Sequence, residues 1–175
     1  MTIILVNSKE DNEAFSDVLR QSIKDAVVLL NPTRNAIREA LSLENDSVII
    51  CGHGTEDGLL DYDWNGYLID KDLVEDLKRL NVIGIWCYAS NFANEYGLHG
   101  FFTSMFISNE QEAAQHSILA NNHDIENENR WFTEELTNLI NKNVPMKEWI
   151  NYLQNNCHKE HEFVRFNYEA LSYFE

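Results

Sequence analysis

Two residues, His53 and Cys87, have the side-chain chemistry of a nucleophilic acyl-transfer site. His53 comes just after the apolar run VIIC, and Cys87 follows the apolar run VIGIW, 34 residues after the histidine. A cysteine thiolate attacks carbonyl carbons readily, and a neighbouring imidazole can withdraw the thiol proton and later protonate the leaving amine. The pair predicts covalent acyl-transfer chemistry, provided that the fold brings the two side chains together.

Such a dyad needs no metal or organic cofactor, but it needs donors for the oxyanion of the tetrahedral intermediate. The backbone N–H groups of Gly54 and Cys87 are the candidates, because glycine lets the loop GHGTEDG bend toward a substrate. Ser90 and Asn91 are predicted to cap a short helix, whose N-terminus would lower the pKa of the thiol. The CHxxH cluster at 157–161 lacks a fourth ligand at suitable spacing, so no metal site is predicted.

The apolar pattern predicts the elements that position these residues. Short β-branched runs alternate with amphipathic stretches, which is typical of a parallel sheet covered by helices. The predicted strands cover residues 2–7, 26–31, 47–51, 82–86 and 103–107. The predicted helices cover residues 11–24, 33–43, 71–80 and 109–115, followed by a polar helical region. Asn65-Gly66 predicts a two-residue hairpin turn between Trp64 and Tyr67.

These elements predict an α/β fold, a three-layer sandwich with a mostly parallel central sheet flanked by helices. We expect a single domain over residues 1–175, with a catalytic block over about 1–120 and a helical C-terminal part over about 124–175. Parallel strands joined by crossovers end at the same edge of a sheet, where open α/β sheets bind ligands. His53 and Cys87 therefore become neighbours if their strands are adjacent.

The charge of the chain excludes some partners. Its 175 residues include 13 Lys and Arg against 29 Asp and Glu, a formal net charge of −16. Nucleic acids and anionic membranes are not expected partners, because binding to phosphate groups depends on Lys and Arg.

The sequence also bears on the location of the protein. No run approaches about 18 apolar residues, so no membrane span is predicted, and the start lacks the basic region of a signal peptide. Three widely spaced cysteines favour free thiols and a cytoplasmic location.

Four stretches, in this order, resemble the catalytic block of the caspase-like cysteine peptidases. They are VIICGHGTEDG, the hairpin around Asn65-Gly66, LIDKDLVEDLKRL and NVIGIWCYAS. The resemblance is to the caspase, separase and gingipain type of fold, especially to the bacterial caspase-like domains related to separase. It covers roughly residues 1–120.

The resemblance implies a cysteine endopeptidase with a dyad mechanism. Cys87 would be the nucleophile, His53 the general base and acid, and the amides of Gly54 and Cys87 the oxyanion hole. The chain departs from the family at Trp86, where many members carry a small residue. The His-to-Cys spacing is also shorter than the ~50 residues of caspases proper. The resemblance thus implies a compact relative and leaves the shape of the specificity pocket open.

The expected substrate is a protein or peptide, and a regulatory protein partner is also expected. Asp57 and Asp61 are the candidate substrate-binding residues, and they would favour a basic residue at the cleavage position because carboxylates pair with Arg or Lys. Two other function classes stay open. A catalytically silent caspase-fold module would bind or signal through its acidic surface, and a small-molecule enzyme would use the same dyad for another acyl transfer. Fold alone does not decide between them.

Overall fold

The computed structural model describes residues 2–7, 18–19, 23 and 26–175. The helix predicted over 11–24 lies mainly outside these residues. Of its described positions, Leu19 and Ile23 are buried.

The described part of the chain has nine strands and seven α-helices. The strands are β1 (Thr2–Asn7), β2 (Ala26–Leu30), β3 (Ser47–Gly52), β4 (Gly54–Thr55), β5 (Gly58–Leu60), β6 (Tyr67–Ile69), β7 (Asn81–Ile85), β8 (Gly100–Phe102) and β9 (Ser172–Phe174). The helices are α1 (Arg34–Ser42), α2 (Val74–Leu77), α3 (Ala89–Tyr96), α4 (Glu110–Gln115), α5 (Asn122–Asn141), α6 (Trp149–Asn156) and α7 (Glu162–Glu169). Two 3-10 turns, Lys71–Leu73 and Met146–Glu148, precede α2 and α6.

Six strands form the main sheet, in the spatial order β2-β1-β3-β7-β8-β9. Every neighbouring pair is parallel except β8 with β9. One face packs against α1, α2 and α3, and the opposite face packs against α5, α6 and α7. The predicted α/β class with a mostly parallel sheet is confirmed, and the layers are compatible with a three-layer sandwich. Within the described residues, the helices are all too short or too polar to cross a membrane.

The central strands are apolar because both of their faces are buried. In β3, Val48 and Ile50 pack into the core on the α1–α3 side, while Ile49 and Cys51 pack into the core on the other side. Burial of each large aliphatic side chain contributes roughly 1.5–3 kcal/mol. A strand covered on both faces reads as a continuous apolar run, so these strands are visible in the sequence.

A small antiparallel sheet, β4-β5-β6, follows β3 and replaces the two-residue hairpin predicted at Asn65-Gly66. The loop that joins β5 to β6 spans residues 61–66, and Trp64 is the residue in the left-handed region, with φ 61°. The Asp61 side chain accepts the Asn65 N–H at 2.8 Å, and the Trp64 N–H donates to the Asp61 carbonyl. These bonds to Asp61 select a longer turn than Asn-Gly would form alone.

The strand predicted over 103–107 lies earlier, at β8. Gly100 begins β8 at φ 135°, and a Cβ there would lie 1.9 Å from the Val82 carbonyl oxygen. The main ladder ends at Thr103, because its Oγ1 donates to the Trp86 carbonyl and its own carbonyl accepts the Ser90 N–H. At the other end of the chain, the predicted helical part closes with β9, which pairs with β8.

Arg34 in α1 anchors the small sheet. Its guanidinium donates to both carboxylate oxygens of Asp70, at 2.5 and 2.7 Å, and to the Tyr67 carbonyl. The hydrogen bond from Arg34 holds the pKa of the Asp70 carboxyl below its ordinary value. The pair is about one-quarter exposed, so solvent screens it only in part.

We expect Arg34→Ala to lower the free energy of unfolding by about 1 kcal/mol at pH 7. A depressed folded-state pKa stabilises the fold above the unfolded-state pKa of about 3.9, and this contribution is lost as the pH falls. The difference between wild type and variant should therefore shrink below about pH 4. Urea unfolding of both proteins at several pH values measures this difference in the free energy of unfolding. Arg79→Ala, which removes an exposed i,i+3 pair with Asp76, is the control and should change little; an equal effect would contradict the anchoring role.

Candidate active site

The two candidate residues follow neighbouring strands of the main sheet. β3 and β7 pair in parallel, with Cys51 opposite Ile85. His53 follows the last residue of β3, Gly52, and Cys87 lies two residues beyond Ile85, the last residue of β7, so both candidates come just after the same end of two paired strands. The strand adjacency on which the sequence hypothesis depends is confirmed.

His53 and Cys87 line one cavity of about 40 Å³. Most of the remaining wall is apolar and comes from Val6, Cys51, Ile85, Trp86 and Phe106. The other polar side chains on the wall are Ser108, Glu112 and Asn129. A space of this size holds a few water molecules, so it admits the reacting group of a substrate and not a whole large side chain.

The Cys87 thiol is half-buried, and its Sγ donates a long hydrogen bond of 3.9 Å to the Phe106 carbonyl. Burial raises the pKa of the thiol to about 11, the bond to Phe106 acts in the opposite direction, and the charge of Glu112 raises it further. At neutral pH the thiol is therefore protonated. Activation of the sulfur requires a base that removes the proton as the substrate reacts.

The predicted helix N-terminus lies close to Cys87, but its predicted caps are wrong and the pKa of the thiol is raised overall. Helix α3 does begin two residues after Cys87, but its N-cap is Tyr88, in the left-handed conformation and without a side-chain capping bond. Ser90 and Asn91, the predicted caps, lie inside the first turn. Desolvation of the thiol outweighs any benefit from this helix end.

His53 is held by the β5–β6 hairpin from two sides. Its backbone carbonyl accepts the Leu60 N–H at 2.9 Å. Its ring lies against the Trp64 indole, with ring centroids 5.3 Å apart and planes inclined at 51°. Trp64 leaves 55% of its surface exposed, which is unusual for a large apolar side chain. The hairpin thus positions both the backbone and the ring of His53.

Gly54, the predicted oxyanion donor, is required by the packing of Trp86. A Cβ on Gly54 would lie 2.1 Å from Trp86 Cδ1 and 2.7 Å from the Gly58 carbonyl oxygen. The Trp86 indole N–H donates to the Thr55 carbonyl at 3.3 Å. The residue before Cys87 thus fixes the loop that follows His53. The oxyanion role of the Gly54 and Cys87 amides stays a prediction.

The two predicted substrate-binding acids do not line the cavity that holds Cys87. Asp57 is exposed and borders a separate groove of about 440 Å³ together with Glu56 and Glu95. The Asp61 side chain is engaged in the hairpin turn, where it accepts the Asn65 N–H.

Glu112 is a site residue that the sequence reasoning did not find. It lies in the first turn of α4, where Asn109 caps the helix by accepting the Glu112 N–H at 2.9 Å. The Glu112 carboxylate reaches back to the Ser108 N–H and hydroxyl. The spacing Asn-x-x-Glu matches the capping-box pattern in the sequence, but the carboxylate accepts the N–H of Ser108 and not that of the capping residue Asn109. Its placement beside Cys87 depends on the long-range course of the chain after β8.

The CHxxH cluster has a structural explanation. His158 Nδ1 pairs with the nearly buried Glu128 Oε1 at 2.7 Å, and the Cys157 thiol donates to the Gln154 carbonyl. No set of three or more His, Cys, Asp or Glu side chains in the described part of the chain is arranged to hold a metal ion.

Comparison of the chain with protein-family models, curated proteins and solved structures finds no match. The site geometry itself carries the chemical argument. A protonated thiol and an imidazole share one small, mostly apolar cavity at the carboxyl edge of a parallel sheet. These are the two side-chain types that nucleophilic attack with general-base assistance uses.

Proposed function

We propose that the chain is a caspase-like cysteine endopeptidase that hydrolyses peptide bonds through an acyl-enzyme on Cys87. One observation carries the proposal: His53 and Cys87 follow two adjacent, in-register parallel strands and line the same cavity. A thiol and an imidazole that can reach the same carbonyl group are the parts that this chemistry needs.

In the first step, His53 accepts the Cys87 proton while the sulfur attacks the substrate carbonyl carbon. The tetrahedral intermediate collapses with cleavage of the C–N bond, and His53 protonates the leaving amine. In the second step, His53 takes a proton from water, the hydroxide attacks the thioester, and the proton returns to the sulfur as the acid leaves. Because burial holds the pKa of the Cys87 thiol at about 11, the proposal uses general-base assistance and not a preformed thiolate.

The amides of Gly54 and Cys87 are the proposed oxyanion donors. Preorganised donors stabilise the developing negative charge because they need no rearrangement during the reaction. The Trp86 indole supports this assignment, since it packs against Gly54 and donates to Thr55. It thereby fixes the loop that carries one donor relative to the segment that carries the other.

The proposed substrate has a basic residue at the cleavage position. Asp57 lines an acidic groove with Glu56 and Glu95, and Ser90 from the first turn of α3, three residues after Cys87, borders the same groove. Carboxylates at a cleft attract and pair with Lys or Arg. Hydrolysis of Asp-ended peptides without hydrolysis of Arg-ended ones would contradict this preference.

The proposal includes a cytoplasmic location and regulation by a protein partner. Cys51, Cys87 and Cys157 are all free thiols, which suits a reducing compartment. The net charge of −16 favours basic proteins over nucleic acids as partners.

Hydrolysis of a mixed fluorogenic peptide library by wild type and Cys87→Ala tests the function. We expect turnover by the wild type and a loss of at least about 10³-fold in the variant, because the nucleophile is gone. Cys51→Ala removes a second thiol from the same cavity wall. That thiol is buried and its pKa is raised, so this control should keep its turnover. Equal turnover in Cys87→Ala, or silence of a wild type whose Cys87 also resists alkylation, would contradict the proposal.

A second candidate, the catalytically silent binding module, is favoured by the raised pKa of the half-buried Cys87 thiol. Alkylation by iodoacetamide at neutral pH separates the two candidates. In a peptidase, Cys87 reacts with the help of His53, and His53→Gln slows the reaction. In a silent module, Cys87 resists alkylation and His53→Gln changes nothing.

A further inference from the structure

The irregular segment between β8 and α4 forms one wall of the Cys87 cavity. It runs over residues 103–109, outside any strand or helix, and contributes Phe106 and Ser108 to the wall. The Phe106 carbonyl accepts the Cys87 thiol, and in the described part of the chain it is the one hydrogen-bond partner of that thiol. The direction of Cys87 Sγ therefore depends on where this segment lies.

Asn167 in α7 ties the segment to the rest of the fold. Its Oδ1 accepts the Ile107 N–H at 2.7 Å, and its Nδ2 donates to the Ile107 carbonyl at 3.0 Å. Among the described residues, the backbone of residues 104–107 makes no hydrogen bond to another backbone group. The Asn167 amide thus supplies the donor and the acceptor that a neighbouring strand would otherwise offer to Ile107.

A polar residue at this position of α7 is unexpected from packing alone. Asn167 is only 2% exposed, and the other buried residues of this helix are Phe163, Val164 and Tyr168. An apolar side chain of similar size would pack there without the cost of burying an amide. Because both bonds of the buried amide go to Ile107, the polar side chain serves the segment and not the helix.

We propose that Asn167 is a positioning residue for Cys87. It fixes Ile107 and with it the neighbouring Phe106 carbonyl, which holds the thiol in the cavity that it shares with His53. The inference rests on the proposed function, since the reaction with His53 is what requires a fixed thiol. Displacement of a reacting group by about 1 Å can lower a rate roughly 10²-fold, so a residue away from the substrate can still set kcat.

Alkylation of Cys87 by iodoacetamide at pH 7 tests the inference without a peptide substrate. Mass spectrometry of the peptide that contains Cys87 follows this thiol alone. Asn167→Leu keeps a similar side-chain volume and removes both bonds to Ile107, so it should slow alkylation about tenfold. His53→Gln should slow the wild type about tenfold but the Asn167→Leu variant less than about twofold, because both residues act through the same thiol.

Val164→Ala is the matched control for stability. It shortens a buried side chain one turn before Asn167 on the same helix. It should lower the melting temperature by several degrees, while the alkylation rate stays within about twofold of the wild type.

Asn167→Ala repeats the test if Asn167→Leu does not fold. It leaves space in which water can bond to the Ile107 backbone, so these groups stay paired but are no longer fixed. The variant should also lose alkylation rate, by at least about fivefold. Rates in the folded Asn167 variants equal to that of Val164→Ala, or effects of Asn167 and His53 substitutions that simply multiply, would overturn the inference.

Hydrogen exchange tests the anchoring itself in the unsubstituted protein. The Ile107 amide should exchange as slowly as the amides of β7, although it lies outside any strand. In Asn167→Ala it should exchange at least about tenfold faster while the β7 amides stay unchanged. An Ile107 amide with the same exchange rate in both proteins would contradict the role of Asn167.

Peptide hydrolysis separates this inference from the proposed function. If peptides are cleaved and Asn167→Ala lowers kcat at least about tenfold with KM within about twofold, both stand. If peptides are cleaved and Asn167→Ala keeps the wild-type kcat, the inference fails and the function stands. If turnover is the same in Cys87→Ala while alkylation of Cys87 still depends jointly on His53 and Asn167, the function fails and the positioning role stands.

Discussion

We expect replacement of His53 by alanine to lower kcat on the preferred peptide of the proposed peptidase by about 10³-fold, within the range that general acid–base catalysis contributes. The reason is the state of the nucleophile: burial raises the pKa of the Cys87 thiol to about 11, so the sulfur depends on a base to lose its proton. KM should change far less than kcat, since His53 acts on the reacting atoms. Initial-rate kinetics over a range of peptide concentrations measure both constants.

His99→Ala is the control for this prediction, because His99 is an exposed histidine that does not line the cavity. It should keep wild-type kinetics. The double variant His53→Ala/Cys87→Ala should be no slower than Cys87→Ala, since residues that act as a unit are not additive. A His53→Ala variant within tenfold of the wild type, beside an inactive Cys87→Ala, would mean that another group removes the thiol proton.

The strands that carry the two candidate residues could be predicted because they are buried on both faces. The runs in β3 and β7 have few polar interruptions, and the structure places β3 at Ser47–Gly52 and β7 at Asn81–Ile85, within one residue of the predicted ends. The α1 amphipathic pattern similarly places the helix within one residue of its predicted ends. The crossover connection between the parallel strands β3 and β7 then brings His53 and Cys87 to one edge of the sheet. This placement is a property of parallel topology and not of local sequence.

The chemical environment of Cys87 could not be predicted, because it depends on residues distant in the chain. The Phe106 carbonyl accepts the Cys87 thiol and the Glu112 carboxylate lines the same cavity, and both residues come after the chain leaves the sheet at Thr103. In the sequence, a glycine such as Gly100 indicates a break in a strand. In the structure, Gly100 begins β8 at φ 135°, where the Cβ of any other residue would clash with the Val82 carbonyl oxygen.

The hairpin shows the same limit on a smaller scale. Asn65-Gly66 carries the strongest local signal for a tight turn, but bonds to Asp61 produce a longer loop with Trp64 in the left-handed region. The contact between Trp64 and His53 follows from this loop. Local propensity thus located the hairpin, while side-chain bonds determined which residue meets the histidine.

Gly54→Ala is expected to lower the free energy of unfolding by about 3 kcal/mol, at the upper end of ordinary overpacking effects. The added Cβ would lie 2.1 Å from Trp86 Cδ1 and 2.7 Å from the Gly58 carbonyl oxygen. The backbone oxygen belongs to β5 and cannot rotate away, so the Trp86 ring or the hairpin must move. Either movement displaces His53 relative to Cys87, and peptide hydrolysis should fall with the stability. Urea unfolding and initial rates measure the two effects.

Gly66→Ala in the same hairpin is the matched control, since a Cβ there meets only Asp61 Oδ2, at an ordinary 3.6 Å. It should unfold at nearly the wild-type urea concentration. A double-mutant cycle with Trp86→Leu identifies the cause: if the indole is the obstacle, Gly54→Ala costs less in the Trp86→Leu background than in the wild type. Equal costs in both backgrounds would assign the clash to the Gly58 carbonyl. A Gly54→Ala variant as stable as Gly66→Ala would contradict the packing argument.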